Sequence, residues 1–197
     1  MEDKFLTLGK KSTGVYKEKG SKFLAFAYPI SAEEEIKPIL ESLKKEFYDA
    51  RHHCYAYMLG KDQKLFRSND DGEPNHSAGD PILGQIRSNG LTNVLIVVVR
   101  YFGGIKLGVG GLIKAYKTAA MEAINSNEIL EGVVTSEMNF SFEYRHTNEV
   151  MRIIAMYEME IISQSFQSIC EISLRCQKSR LNKAYHLFEK ISSFSKK

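Results

Sequence analysis

The chain is poor in cysteine. It has three, Cys54, Cys170 and Cys176, in 197 residues. That is too few, and too scattered, for a disulfide framework, so a cytosolic protein with reduced thiols is expected. Long apolar runs are missing as well. None approaches the roughly 20 residues of a membrane span, and the opening Met1-Glu2-Asp3-Lys4 leads into no apolar stretch of the signal-peptide kind. The expectation is a cytoplasmic protein without a membrane partner. Nor is there an excess of one charge. The 27 Lys and Arg against 24 Asp and Glu leave +3, which does not by itself announce a nucleic-acid binder. The parts on either side of residue 130 are each only slightly positive, so any basic site must be local. There is no repeat array, and no low-complexity tract beyond a short basic tail.

Several chemical signatures are also missing. A phosphate loop needs Lys directly after its second glycine. Gly103 and Gly108 have the spacing, but Val109 follows. A dinucleotide fingerprint beginning at Gly108 would need glycine where Ile113 stands. There is no G-x-S-x-G elbow and no Cys/His nucleophile spacing. Asp70, Asp71 and Glu73 lack the calcium-loop pattern and its closing glutamate.

What is present centres on residues 91–121. Val94 to Val99 is a short β-branched run, which reads as a strand buried on both faces. Arg100, Tyr101 and Phe102 end it. A glycine-rich loop follows with Gly103, Gly104, Gly108, Gly110 and Gly111. Then Leu112, Ile113, Tyr116, Ala119, Ala120, Ala123 and Ile124 recur at helical spacing. From Pro81 to Met121 there are five basic residues (Arg87, Arg100, Lys106, Lys114, Lys117) and no acidic one. A strand, a glycine loop and a helix start together resemble an anion cradle. The same glycines equally suit tight turns and close helix–strand packing. Lys114 and Lys117 share a helical face, expected in the first two turns where the dipole favours an anion. Tyr101 and Phe102 can stack on unpaired bases.

The rest of the chain frames this stretch. Residues 14–17 and 22–30 read as a hairpin turning at Gly20-Ser21. Ser31 and Glu34 have capping-box spacing, and Pro38 predicts a late start or a kink in the helix that follows. His52 to Leu59 reads as a strand, with His52, Cys54 and Ala56 on one face and His53, Tyr55 and Tyr57 on the other. Residues 60–80 read as a long polar segment in which Leu65-Phe66-Arg67 can pair with that strand. Asp80-Pro81 reads as N-cap and first residue of a short helix. Residues 128–137 read as a boundary between domains 1–130 and 131–197. The second domain reads β-α-β-β-α, a ferredoxin-like arrangement.

His52, His53, Cys54, His76, Asp70, Asp71 and Glu73 are residue types that bind metals or transfer protons. Adjacent strand histidines point apart, so packing beside tyrosines above a solvated turn is the better reading. The acidic turn is expected near the His52 strand and the glycine loop, where a carboxylate can hold Arg100 or the histidines by charge-assisted hydrogen bonds.

Arg51-His52-His53-Cys54-Tyr55-Ala56-Tyr57, Asp70-Asp71-Gly72-Glu73-Pro74, Ala78-Gly79, Leu91-Thr92-Asn93-Val94 and the stretch from Arg100 to Gly108 resemble the YigZ/IMPACT family, bacterial two-domain type. Asn75-His76-Ser77 departs from the small Gly-Thr pair common in the family after Glu-Pro. The resemblance implies an α+β chain. Its N-terminal domain would be like domain IV of elongation factor G, a β-α-β sandwich of the ribosomal-protein domain-2 kind. Its C-terminal ferredoxin-like α/β sandwich would resemble domain V of that factor. The resemblance implies no cofactor, metal or catalytic residue. Eukaryotic members of the family are translation regulators.

The resulting expectation is a non-enzymatic RNA- or ribosome-binding protein linked to translation. Arg100, Tyr101, Lys106, Gly108, Lys114 and Lys117 would meet nucleic acid, and His52, His53, Asp70, Asp71 and Glu73 would form a family-motif surface. The alternatives are a regulator that binds a protein partner instead, or a hydrolase using the histidines and the acidic cluster.

Overall fold

The structure, a computed structural model, describes residues 3–191 and the backbone of residues 195–196. The side chains of the basic tail lie outside the described residues. The chain divides into two compact units. One is Phe5–Gly132; the other runs from Val133 onward and takes in the residues before Phe5. Both mix helices with antiparallel sheet, so the class is α+β.

In the larger unit, β1 (Lys4–Leu8) is followed by a hairpin of β2 (Ser12–Glu18) and β3 (Ser21–Pro29). Helix α1 begins at Ile36 after a 3-10 turn, Glu33–Glu35, and ends at Glu46. Pro38 thus sits in the first turn, where its missing N–H costs nothing. The capping carboxylate is Glu35 rather than Glu34. Its Oε1 accepts from Ser31 N at 2.8 Å, Ser31 Oγ at 2.7 Å and Ala32 N at 3.0 Å. Then come β4 (His52–Leu59), β5 (Leu65–Asn69), α2 (Gly79–Ser88), β6 (Val94–Tyr101), α3 (Gly108–Asn125) and β7 (Ile129–Val133).

The main sheet has the order β2-β3-β6-β4-β5, antiparallel at every pairing. Strand β6 is central, and Val94 to Val99 are all fully buried. Both of its faces are covered. Val94, Ile96 and Val98 pack with α2 and α3, whereas Leu95, Val97 and Val99 pack with Ile36 and Leu43 of α1. Helix α3 turns a small-residue stripe (Ala115, Ala119, Ala120, Ala123) to the sheet and lies mainly over β2 and β3. The approach is close enough that a Cβ on Gly14 would sit 2.4 Å from Ala123 N.

The division between the two units, after Gly132, lies within the stretch 128–137, where β7 pairs with β1 and the next strand begins at Thr135. One sequence expectation changes here. Asp80 is not the N-cap of α2, which starts at Gly79 with Ala78 in the cap position.

The smaller unit comprises β8 (Thr135–Glu143), α4 (Thr147–Met156), β9 (Glu160–Ser165), β10 (Ile169–Gln177), α5 (Lys178–Phe188) and β11 (Ser195–Lys196). Its sheet order, β11-β8-β10-β9, is that of a ferredoxin-like fold. Phe140, Phe142, Val150, Ile154, Leu174 and Phe188 are among its core residues, and Cys170 and Cys176 are buried with them.

Candidate functional site: an apolar cleft over a buried ion pair

The acidic turn connects β5 to α2, and its own polar groups order it. Asn69 Oδ1 accepts from Asp71 N at 2.8 Å. Asp70 Oδ1 accepts from Ala78 N at 2.9 Å and Gly79 N at 2.8 Å, while its Oδ2 accepts from His76 N at 2.9 Å. Asp70 therefore does for α2 what Asp80 was expected to do, capping it from eight residues away. Asp71 Oδ2 accepts from His53 N at 2.7 Å, and Asp71 O lies 2.8 Å from His52 Nδ1. These bonds fasten the turn to the first two residues of β4. They also occupy both carboxylates with backbone N–H groups, which leaves them poorly placed for proton transfer.

Glu73 points inward. Its Oε1 lies 2.5 Å from Arg100 Nη1 and accepts from Tyr116 Oη at 2.8 Å. Cys54 Sγ is 3.3 Å from Tyr116 Oη and 3.0 Å from Asp70 O. The network joins β4, β6, α3 and the acidic turn. Burial pushes the Cys54 thiol well above its ordinary range, so it stays protonated and is a poor nucleophile. Tyr116 is likewise pushed up by burial.

Above this network lies an open cleft of about 460 Å³, lined by Arg51, His52, Glu73, Pro74, Arg100, Phe102, Lys106, Leu107, Gly108, Val109 and Leu112. Its walls are mainly apolar. Arg51 and Lys106 are exposed at it, and neither has an ion-pair partner among the described residues. The cleft thus brings together parts of three motifs that are far apart in sequence.

The sequence-derived site residues divide accordingly. His52, Glu73, Arg100, Lys106 and Gly108 line the cleft, while Asp70 and Asp71 hold the turn beside it. His53 and Glu73 are buried rather than part of a surface, and so is Arg100, whose charge Glu73 already matches. Arg100 is therefore part of the floor and not a free phosphate contact. Tyr101 is on the wrong side. Strand alternation turns it toward α1, where its hydroxyl donates to Asp49 Oδ1 at 2.7 Å. Helix α3 begins at Gly108, four residues ahead of its apolar pattern, so Lys114 and Lys117 are its seventh and tenth residues. Both are exposed but lie beyond the first turn, where the helix dipole acts, and Lys114 Nζ is 4.0 Å from Glu18 Oε2.

The glycines have separate reasons. Gly103 lies against the β2–β3 turn, where a Cβ would come within 1.9 Å of Gly20 C; Gly108 opens α3 at a φ of +72°.

Sequence reasoning missed Arg51, Pro74, Leu107, Val109 and the Tyr116 hydroxyl. Tyr116 reads as a core residue from its spacing, and nothing local reveals its partner 43 residues away. Among the described residues, no three His, Cys, Asp or Glu side chains are grouped to hold a metal ion, and no helix is long and apolar enough to cross a membrane.

Residues 19–124 match the Impact N-terminal domain. An IMPACT family member of Bacillus subtilis, YvyE, is 38% identical over 124 residues, covering 63% of this chain and 57% of that protein. The Escherichia coli member YigZ is 34% identical over 158 residues, covering 79% and 78%. A crystal structure of an hypothetical protein is 28% identical and superposes with a TM-score of 0.75, covering 100% of this chain and 97% of that one. All of the residues that line the cleft fall inside the matched domain.

Proposed function

The chain belongs to the Impact N-terminal domain family, and from that premise we propose that it is a non-enzymatic, cytoplasmic regulator of translation that binds RNA or the ribosome through the cleft face of its larger unit. The observation that carries this reading is local charge. Arg51, Lys106, Lys114 and Lys117 are exposed around the cleft and α3; the sequence from Pro81 to Met121 contains no acidic residue, and of the four only Lys114 has a carboxylate near it among the described residues, Glu18. The first-turn N–H groups of α3 add partial positive charge beside Lys106 and Gly108. The regulatory role follows from the family resemblance and not from the fold, since a fold alone does not fix a function.

A second reading has an observation of its own. Phe102, Ile105, Val109 and Ile113 are all more than a third exposed on the glycine loop and the first turns of α3, and exposed apolar groups so close in sequence also suit a protein partner.

Salt separates the two. Lys106→Glu with Lys117→Glu should weaken RNA or ribosome association and flatten its dependence on salt, by roughly one log–log unit for each lost phosphate contact. The melting temperature should hold, because both side chains are exposed. A double variant that binds RNA and ribosomes as the parent does, with the same slope, refutes the assignment. If the parent binds neither, the protein-partner reading takes its place.

A further inference from the structure

We infer that the cleft is a pocket for an unpaired base, so that the RNA bound on this face is single-stranded. This rests on the RNA-binding reading and narrows it. A volume of about 460 Å³ lies within the roughly 300–1,000 Å³ of pockets that enclose a small organic group. The walls, Pro74, Phe102, Leu107, Val109 and Leu112, offer apolar surface, which a phosphate backbone cannot use and a base can. Phe102 is 48% exposed, and an exposed aromatic ring beside cations is the usual platform for a stacked base.

The polar groups at the cleft fit a base edge and its phosphates. His52 Nδ1 faces the Asp71 carbonyl at 2.8 Å. A carbonyl only accepts, so Nδ1 donates, and Nε2 is the ring nitrogen left to meet a base edge. Arg100 is 6% exposed and lines the same cleft; Glu73 takes its Nη1 and its unpartnered Nε is itself buried, so it gives the cleft a cationic floor rather than a donor to the base edge. Arg51 and Lys106 stand where the flanking phosphates would run. A base inside a duplex cannot reach such a cleft, whereas an unpaired one can enter it without the cost of flipping.

The test compares a labelled single-stranded oligoribonucleotide of about ten nucleotides with its duplex by fluorescence anisotropy, using the full chain and its Phe102→Ala and Phe102→Tyr variants. The single strand should bind at least about tenfold more tightly than the duplex. Phe102→Ala should weaken the single strand by roughly 5- to 150-fold, the cost of one lost stacking partner, without changing the salt slope, and Phe102→Tyr should restore it. An unchanged melting temperature in both variants shows that the fold is intact. Equal binding of duplex and single strand, or no loss with Phe102→Ala, overturns the base pocket and leaves RNA binding standing. If neither RNA binds, the broader reading falls with it.

Discussion

Removing the Glu73 carboxylate tests the energetic centre of the site. Glu73→Ala leaves the Arg100 guanidinium buried, since the two side chains are only 4% and 7% exposed. Other contacts do not replace the lost anion. The rings of Phe23 and Phe102 lie 5.4 and 5.6 Å from the guanidinium carbon, and Nε already lacks a partner. Breaking a buried ion pair by deleting one member costs about 3–5 kcal/mol. The Tyr116 hydroxyl loses its acceptor in the same step, so the upper part of that range is the better expectation. For a unit of this size each kcal/mol shifts the melting temperature by about 3–5 °C, which for about 4–5 kcal/mol gives a fall of about 12–25 °C. Calorimetry is the assay of choice, because a chain of two units need not melt in one transition. Deleting both charges should be milder than deleting one, so Glu73→Leu with Arg100→Met should recover much of the loss. A single variant that melts within about 2 °C of the parent, or a double variant worse than the single, would show that the pair does not hold the acidic turn to the sheet.

The remaining expectations are narrower. Asp70→Ala removes the acceptor of three backbone N–H groups and should cost about 1–2 kcal/mol, with hydrogen exchange rising at the first residues of α2. Gly14→Ala should destabilise strongly, since its Cβ would meet the backbone of α3 at 2.4 Å. Gly84→Ala, in open space within α2, should instead stabilise by up to about 1 kcal/mol; matched denaturant titrations decide both. The three cysteines are buried, and Cys54 in particular is held protonated by burial. A thiol reagent at pH 8 should therefore leave Cys54 unmodified in the folded protein and label it once the chain is unfolded. Rapid labelling of Cys54 under native conditions would contradict the closed packing of the network.

Much of this architecture is legible in the sequence wherever local pattern and burial agree. The run Val94 to Val99 is β-branched and unbroken by polar residues, and it forms the centre of the main sheet. Period-two alternation from His52 to Leu59 assigns Cys54 and Tyr57 to opposite cores. The same alternation separates Arg100 from Tyr101, so parity alone puts Tyr101 on the face opposite the cleft. Other features depend on partners far along the chain. Strands β1 and β7 are short and find each other across more than a hundred residues, so 128–137 reads only as a boundary and its strand pairing leaves no local mark. Helix α3 begins on glycines, whose low propensity hides its first turn. A carboxylate of the acidic turn holding Arg100 is expected from the motifs, but that Glu73 is the one, and that Tyr116 joins it, is hidden for the same reason. A buried carboxylate and a solvated one look alike in sequence, and only the fold of the turn decides which is which.

Ultraviolet crosslinking of the full chain to RNA in cell extract, followed by mapping of the crosslinked peptides, tests the central claim most directly. RNA should be recovered with the protein, and crosslinks should concentrate on the peptides carrying Arg51-His52 and Phe102 to Val109. Recovery of a protein partner without RNA, or crosslinks confined to the smaller unit, would contradict it.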